Sequence, residues 1–188
     1  RDYLHALQSA RLIRMVNNAY EHVPFYRRKF DEMGLKPGDI HSIDDIGKLP
    51  FTVKTDLRDN YPYGLFAVPP RELVRIHASS GTTGKQTVVA YTQNDLDIWA
   101  RSAARSIVGC GGTHEDFVHV SYGYGLFTGG LGLHDGAAQM GATVIPVSSG
   151  NTRRQVQLLQ DYGSALLPCT PRYALYIREP VRDKGSAH

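Results

Sequence analysis

Ala78-Ser79-Ser80-Gly81-Thr82-Thr83-Gly84-Lys85 decides how the rest of this 188-residue sequence is read. Seven of the eight residues are small or hydroxylated, and the eighth is a lysine. Gly81 and Gly84 let the backbone take positive φ and let a ligand approach it closely. Four hydroxyls (Ser79, Ser80, Thr82 and Thr83) surround backbone N–H groups that can converge into an anion-binding nest. Lys85 adds a positive charge on a flexible stem. Ser, Thr and Gly would also make an ordinary turn, but four hydroxyls and a lysine exceed what a turn needs. The composition points to polyphosphate binding.

The flanks set the architecture. A P-loop needs glycine where Ser79 stands and Ser or Thr where Gln86 stands, and it opens a helix. Here an apolar run (Leu73-Val74-Arg75-Ile76-His77-Ala78) precedes the loop and a β-branched run (Thr87-Val88-Val89-Ala90-Tyr91-Thr92) follows it, so the spacing predicts strand, loop, strand. Beyond lies an amphipathic helix over 94–109, with Leu96, Trp99, Ala100, Ala103, Ala104, Ile107 and Val108 on one face and Gly109 at its end. Strands then alternate with helices. Phe117-Val118-His119-Val120-Ser121, Ala142-Thr143-Val144-Ile145-Pro146-Val147 and Ala165-Leu166-Leu167 read as strands; 128–140, 152–162 and 171–178 read as helices. That alternation predicts an α/β fold with a largely parallel sheet flanked by helices.

Upstream the pattern is helical and looped. Leu12, Met15, Val16, Ala19 and Tyr20 mark the apolar face of a first helix. Pro24 breaks it, and a second helix is expected over 25–33 with Gly34 as its C′ residue. Over 35–70, Ser42 and Thr52 are placed to cap short helices. The expected organisation is one incomplete α/β domain over 1–188, with a helical and looped layer over 1–70 packed on a sheet-bearing part over 71–188.

In parallel sheets, ligands sit at the carboxyl ends of the strands. The stretch after Ser121, Tyr122-Gly123-Tyr124-Gly125-Leu126-Phe127-Thr128-Gly129-Gly130, places three aromatic rings among four glycines there. Tyr122, Gly123, Tyr124, Gly125 and Phe127 would suit a flat aryl group. They would equally suit core packing and helix contact, and on these residues alone the two readings balance.

Bulk properties exclude several classes. Apolar residues make up 41% and charged residues 21%, as in a globular domain. The formal charge of +3 is dispersed, so no nucleic-acid surface is expected. No apolar run has transmembrane length, and no membrane partner is expected. Cys110 and Cys169 lack metal or redox spacing and read as reduced, part-buried thiols of a cytoplasmic protein. The histidines form no ligand cluster, so no protein-bound metal is expected.

The 79–85 loop resembles the phosphate loop of the adenylate-forming enzymes. Leu49-Pro50-Phe51-Thr52 with Lys54, Asp56-Leu57-Arg58-Asp59-Asn60-Tyr61-Pro62 and the 121–130 stretch are similar to the phenylacetate–coenzyme A ligases in particular. Gln86 departs from the proline usual there. The resemblance implies an acid–thiol ligase of phenylacetate catabolism. An aryl acid reacts with ATP to give an acyl-adenylate and pyrophosphate, and coenzyme A then displaces AMP. ATP with Mg2+ and coenzyme A are the implied co-substrates. Ser79, Ser80, Gly81, Thr82, Thr83, Gly84 and Lys85 would hold the ATP phosphates. Tyr122 and Phe127, and more weakly Tyr124, would contact the acid's ring. The family is roughly twice as long or more, and its catalytic lysine belongs to a later domain absent from this sequence. The likeness is therefore to an N-terminal portion, and no catalytic residue is assigned. Two alternatives stay open: a non-catalytic remnant that binds an aryl acid or a partner, and an adenylating enzyme for another aryl acid. An exposed sheet edge would favour homodimers or other self-association.

Overall fold

The computed structural model describes residues 1–79 and 86–185, with backbone alone for 179–185. The chain divides into two compact units, Arg1–Ala90 and Tyr91–His188.

The first unit opens with helix α1 (Asp2–His22) and helix α2 (Pro24–Glu32). Proline disfavours helical backbone at the residue before it, and Val23 is accordingly extended (φ −115, ψ 100). Pro24 then sits at the start of α2, where its missing N–H is not needed. Gly34, at φ +66, closes α2. The N–H of Leu35 donates to Phe30 O and that of Gly34 to Asp31 O, which satisfies the helix's last carbonyls. Val16, Phe30, Leu35 and Ile40 form the buried core of this unit, joined by Leu12, Ile13, Tyr20 and Leu49. Met15, expected on the apolar face of α1, is 69% exposed. A step of four (Leu12, Val16, Tyr20) with Ile13 describes that face better than steps of three and one.

The 35–74 stretch is held by side chains bonding to backbone. Ser42 caps a 3-10 turn (Ile43–Lys48) by accepting from Asp44 N. Helix α3 (Lys54–Asp59) begins one residue later than expected. Its first turn is capped from within, because Asp56 accepts from Val53 N at 2.9 Å. Lys29 on α2 donates to Phe51 O and to Asp56, each at 2.8 Å, and fastens this segment to α2. Strands β1 (Arg75–Ala78) and β2 (Val88–Tyr91) pair as the spacing predicts.

Asp45 makes this unit sensitive to acid. Lys48 Nζ lies 2.8 Å from one carboxylate oxygen, and the N–H groups of His41 and Ser42 donate to the other. The ammonium first, then the backbone donors, lower the carboxyl pKa from 3.8 to about 2. A depressed folded pKa gives stability that is complete above the unfolded value and is lost as pH falls toward the folded one. Asp45→Asn should therefore unfold more readily than the wild type above about pH 4 and converge with it between about pH 4 and 2. Urea midpoints across that range check this.

The second unit begins with helix α4 (Gln93–Gly109). Thr92 and Asp95 exchange hydrogen bonds at its start: Asp95 N donates to Thr92 Oγ1, and Thr92 N to Asp95 Oδ2. Gly109 is the last helical residue, and the positive-φ residue that ends the helix is Gly111 (φ +93). Of the expected apolar face, Ala100 and Ile107 are buried, whereas Val108 is 54% exposed. Strand β3 (Phe117–His119), helix α5 (Thr128–Met140), strand β4 (Thr143–Ile145), helix α6 (Thr152–Asp161) and helix α7 (Pro171–Gly185) follow.

β3 and β4 pair in parallel, with Val118 opposite Val144. On β3's other edge, Val118 bridges Leu166 in parallel, His119 N donates to Leu166 O and Ser121 N to Pro168 O. The expected third strand is thus a single bridge. β3 is central, and Val118 and Val120 are fully buried. Ile107, Ala137 and Ala142 complete the core. Helices on the connections of a parallel sheet are what the alternating pattern requires. α5 lies close against α4, because a Cβ on Gly132 would fall 2.4 Å from Trp99 and one on Gly136 2.5 Å from Ala103.

Candidate functional site

Of the candidate phosphate loop, Ser79 is described; Ser80, Gly81, Thr82, Thr83, Gly84 and Lys85 lie outside the described residues. Ser79 closes the neck of the loop. Its N–H donates to Thr87 O at 2.9 Å, and its hydroxyl accepts from Thr87 N at 3.0 Å. The hydroxyl retains its own proton for donation to a ligand. Below it, His77 and Ala78 are buried in β1, so the loop springs from an ordered strand pair.

The second candidate stretch leaves the carboxyl end of β3, where the parallel-sheet argument puts a ligand. Tyr122 is half-buried and packs on the core. A Cβ on Gly129 would lie 3.2 Å from its ring, so the glycine at the start of α5 gives Tyr122 room. Tyr124 is turned toward α5. Its ring meets His134 edge-on at 5.9 Å, and its hydroxyl lies 3.3 Å from His134 Nδ1. Burial first, then the charge of Asp135, raises the Tyr124 phenol pKa above 10.0. Gly125 sits at φ +144, a conformation that strains any residue with a side chain. Leu126 and Phe127 are 50% and 60% exposed. The five aryl-site candidates therefore divide. Tyr122 and Tyr124 serve the core with at least part of each ring, Gly123 and Gly125 shape the backbone, and Phe127 presents an open ring.

The sequence reading missed a group immediately behind this loop. Gln155 on α6 is 1% exposed and bonds His119, Ser121, Ser148 O and Gly150 O. Two signals were available. Gln155 falls in register with Thr152, Val156 and Leu159, a polar residue on an inward helix face. Ser148-Ser149-Gly150-Asn151 is also a turn composition suited to positive φ.

Among the described residues no group of three or more His, Cys, Asp or Glu side chains could hold a metal ion, and no helix is long and apolar enough to cross a membrane. Cys110 is exposed, against the expectation of a part-buried thiol, and Cys169 is partly buried. Burial raises the Cys169 thiol pKa above 9.0, which disfavours a reactive thiolate.

No protein-family model matches the chain. Among solved structures it superposes on 2-hydroxyisobutyryl-CoA ligase in complex with 2-HIB-AMP and CoA in the thioesterification state. The TM-score is 0.91 at 31% identity, over 98% of this chain and 41% of that one. An open conformation of the same ligase gives a TM-score of 0.86 over 94% of this chain and 40% of that one. The architecture is therefore that of part of an adenylate-forming CoA ligase. Phenylacetate-coenzyme A ligase of Thermus thermophilus is 55% identical over 185 residues, which is 98% of this chain and 42% of that protein. The enzymes of the same name from Pseudomonas putida and Escherichia coli are 54% and 56% identical over 98% and 96% of this chain. By sequence the chain is similar to the phenylacetate-coenzyme A ligases along almost its whole length, and it spans about two fifths of the length of these curated relatives.

Proposed function

We propose that the chain is the N-terminal part of a cytoplasmic phenylacetate–coenzyme A ligase, supplying the ATP phosphate loop and the aryl-acid pocket. The observation that carries this reading is identity above 50% to phenylacetate-coenzyme A ligases along almost the whole chain.

A carboxylate is a poor electrophile with a bad leaving group, and the reaction corrects both defects. Its oxygen attacks the α-phosphorus of ATP, the bond to the β-phosphate oxygen breaks, and pyrophosphate leaves. The sulfur of coenzyme A then attacks the acyl carbon of the adenylate, and AMP leaves as the thioester forms. Negative charge builds on the β- and γ-phosphates in the first step. Hydroxyls, N–H groups and the lysine of 79–85 would meet it with preorganised donors. Magnesium would arrive on the ATP phosphates, which is how this ion is commonly bound. Phe127 and the free part of Tyr122 would hold the acid's ring, and Gly123 and Gly125 would let it come close to the backbone. The partners are thus small molecules: an aryl acid, MgATP and coenzyme A.

The test is phenylacetate-dependent formation of AMP and pyrophosphate by a polypeptide that continues this chain to the length of its relatives. Product that needs both phenylacetate and ATP, and phenylacetyl-CoA on addition of coenzyme A, is the expected result. AMP formation with aliphatic acids and none with phenylacetate would overturn the aryl assignment and keep the ligase class.

A further inference from the structure

Directly behind the aryl-acid loop lies a polar knot that the proposed chemistry does not use. The Gln155 carboxamide donates from Nε2 to Ser148 O at 2.7 Å and to Gly150 O at 3.2 Å. Its Oε1 accepts from His119 Nε2 at 2.6 Å and from Ser121 Oγ at 2.8 Å. A flipped carboxamide would face two carbonyl oxygens with a third, so the partners fix its orientation, and His119 carries a proton on Nε2. His119 and Gln155 are almost wholly buried, and His119 Nδ1 has no partner among the described residues.

What the knot grips is a strained turn. Ser148 has φ +70, Gly150 φ +90 and Asn151 φ +44. Non-glycine residues keep such backbone where their surroundings over-determine it, and these sites cluster at ligand clamps. Ser148 N also donates to Val120 O, which ties the turn to the end of β3. Between the strained residues, Ser149 lies next to the aryl-acid loop: a Cβ on Gly123 would be in van der Waals contact with Ser149 Oγ, at 3.5 Å. The carbonyl of Gly123 in turn approaches α5, since a Cβ on Gly130 would lie 2.6 Å from it. Gly123 therefore lies beside both the start of α5 and the 148–150 turn.

We infer that Gln155 is a positioning residue for the aryl-acid pocket: through Ser148 and Gly150 it seats Ser149 against Gly123 and so fixes the backbone wall of the 122–125 loop. The pocket role rests on the function proposed above; the coupling between the two loops does not.

Two variants separate positioning from general stability. Gln155→Met keeps the side-chain length and removes all four hydrogen bonds. Gly150→Ala leaves Gln155 untouched and disfavours the turn from the surface, where an added Cβ meets nothing within 4 Å but must adopt φ +90. In each, the dissociation constant for phenylacetate should rise about tenfold, the equivalent of one alanine forced into left-handed backbone, while that for MgATP changes less than about twofold. Amide exchange in 122–125 and 148–151 should quicken by about tenfold, while the β3–β4 amides hold. If Gln155→Met does not fold, Gly150→Ala decides alone. Unchanged exchange at 122–125 in the folded variants, or equal loss of phenylacetate and MgATP affinity, overturns the inference. A wild type that binds no phenylacetate refutes the aryl reading of the pocket, and the exchange rates still decide the coupling.

Discussion

Lys85→Ala is expected to lower phenylacetate-dependent ATP turnover about 100-fold, the scale seen when one preorganised donor to developing charge is removed. The measurement needs the chain continued to the length of its relatives, with pyrophosphate release as the readout. Phenylacetate affinity should stay within about twofold, because the function proposed above gives the acid's ring to the 122–127 stretch and not to the lysine. Gly84→Val should act in the same direction by a different route: a branched side chain obstructs both positive φ and the close approach of phosphate. The split between the two substrates is the informative part. Equal loss of ATP turnover and phenylacetate binding would make the 79–85 loop a structural element, as its turn-like composition alone would allow.

The largest stability effect is expected where α4 and α5 meet. Replacing a helix-interior glycine by alanine ordinarily stabilises by about 0.5–1 kcal/mol. At Gly132 and Gly136 the sign should reverse. The new methyl would sit 2.4 Å from Trp99 Cζ2 at the first position and 2.5 Å from Ala103 Cβ at the second. Neither neighbour can retreat cheaply. The Trp99 ring lies against Tyr91, tilted by 30° with centroids 5.1 Å apart, and the contact at Ala103 includes backbone atoms. Overpacking of this kind costs about 1–3 kcal/mol, so Gly132→Ala and Gly136→Ala should each lower the urea midpoint. Gly109→Ala is the control: nothing lies within 4 Å of its Cβ, and its midpoint should hold or rise. A stabilised Gly132→Ala would mean that the two helices are not in close contact in solution.

Much of this was written in the sequence. Helix α5 runs over Thr128–Met140 as its pattern predicts, and α7 starts at the expected Pro171. Proline and glycine punctuation was legible because each acts locally: Pro24 through the backbone of Val23, Gly34 through its left-handed φ. Side-chain exposure was less legible, because it depends on what packs opposite. Met15 and Val108 satisfy a helical period and still face outward. The 165–167 stretch reads as a strand from its apolar residues, yet it contributes a single bridge, since pairing depends on the partner β3 and its short ladder. At the candidate site the aromatic and glycine composition of 122–130 was visible, but the division of labour within it was not. Tyr124 turns toward His134, ten positions along on α5, and Gln155 reaches His119 across 36 positions. The inward register of Gln155 on its helix was legible, but the identity of such distant partners leaves no periodic trace.

The most direct test of the central claim is ligand-observed saturation-transfer NMR of phenylacetate on the 188-residue chain, comparing wild type with Phe127→Ala. Phe127 is 60% exposed, so its ring can be removed without opening the core, and an unchanged amide spectrum will certify the fold. Saturation transfer to the phenylacetate ring in the wild type, reduced by about half or more in Phe127→Ala through the lost ring contact, is the predicted result. Folded wild-type protein that transfers no saturation to phenylacetate would contradict an aryl-acid pocket within this chain.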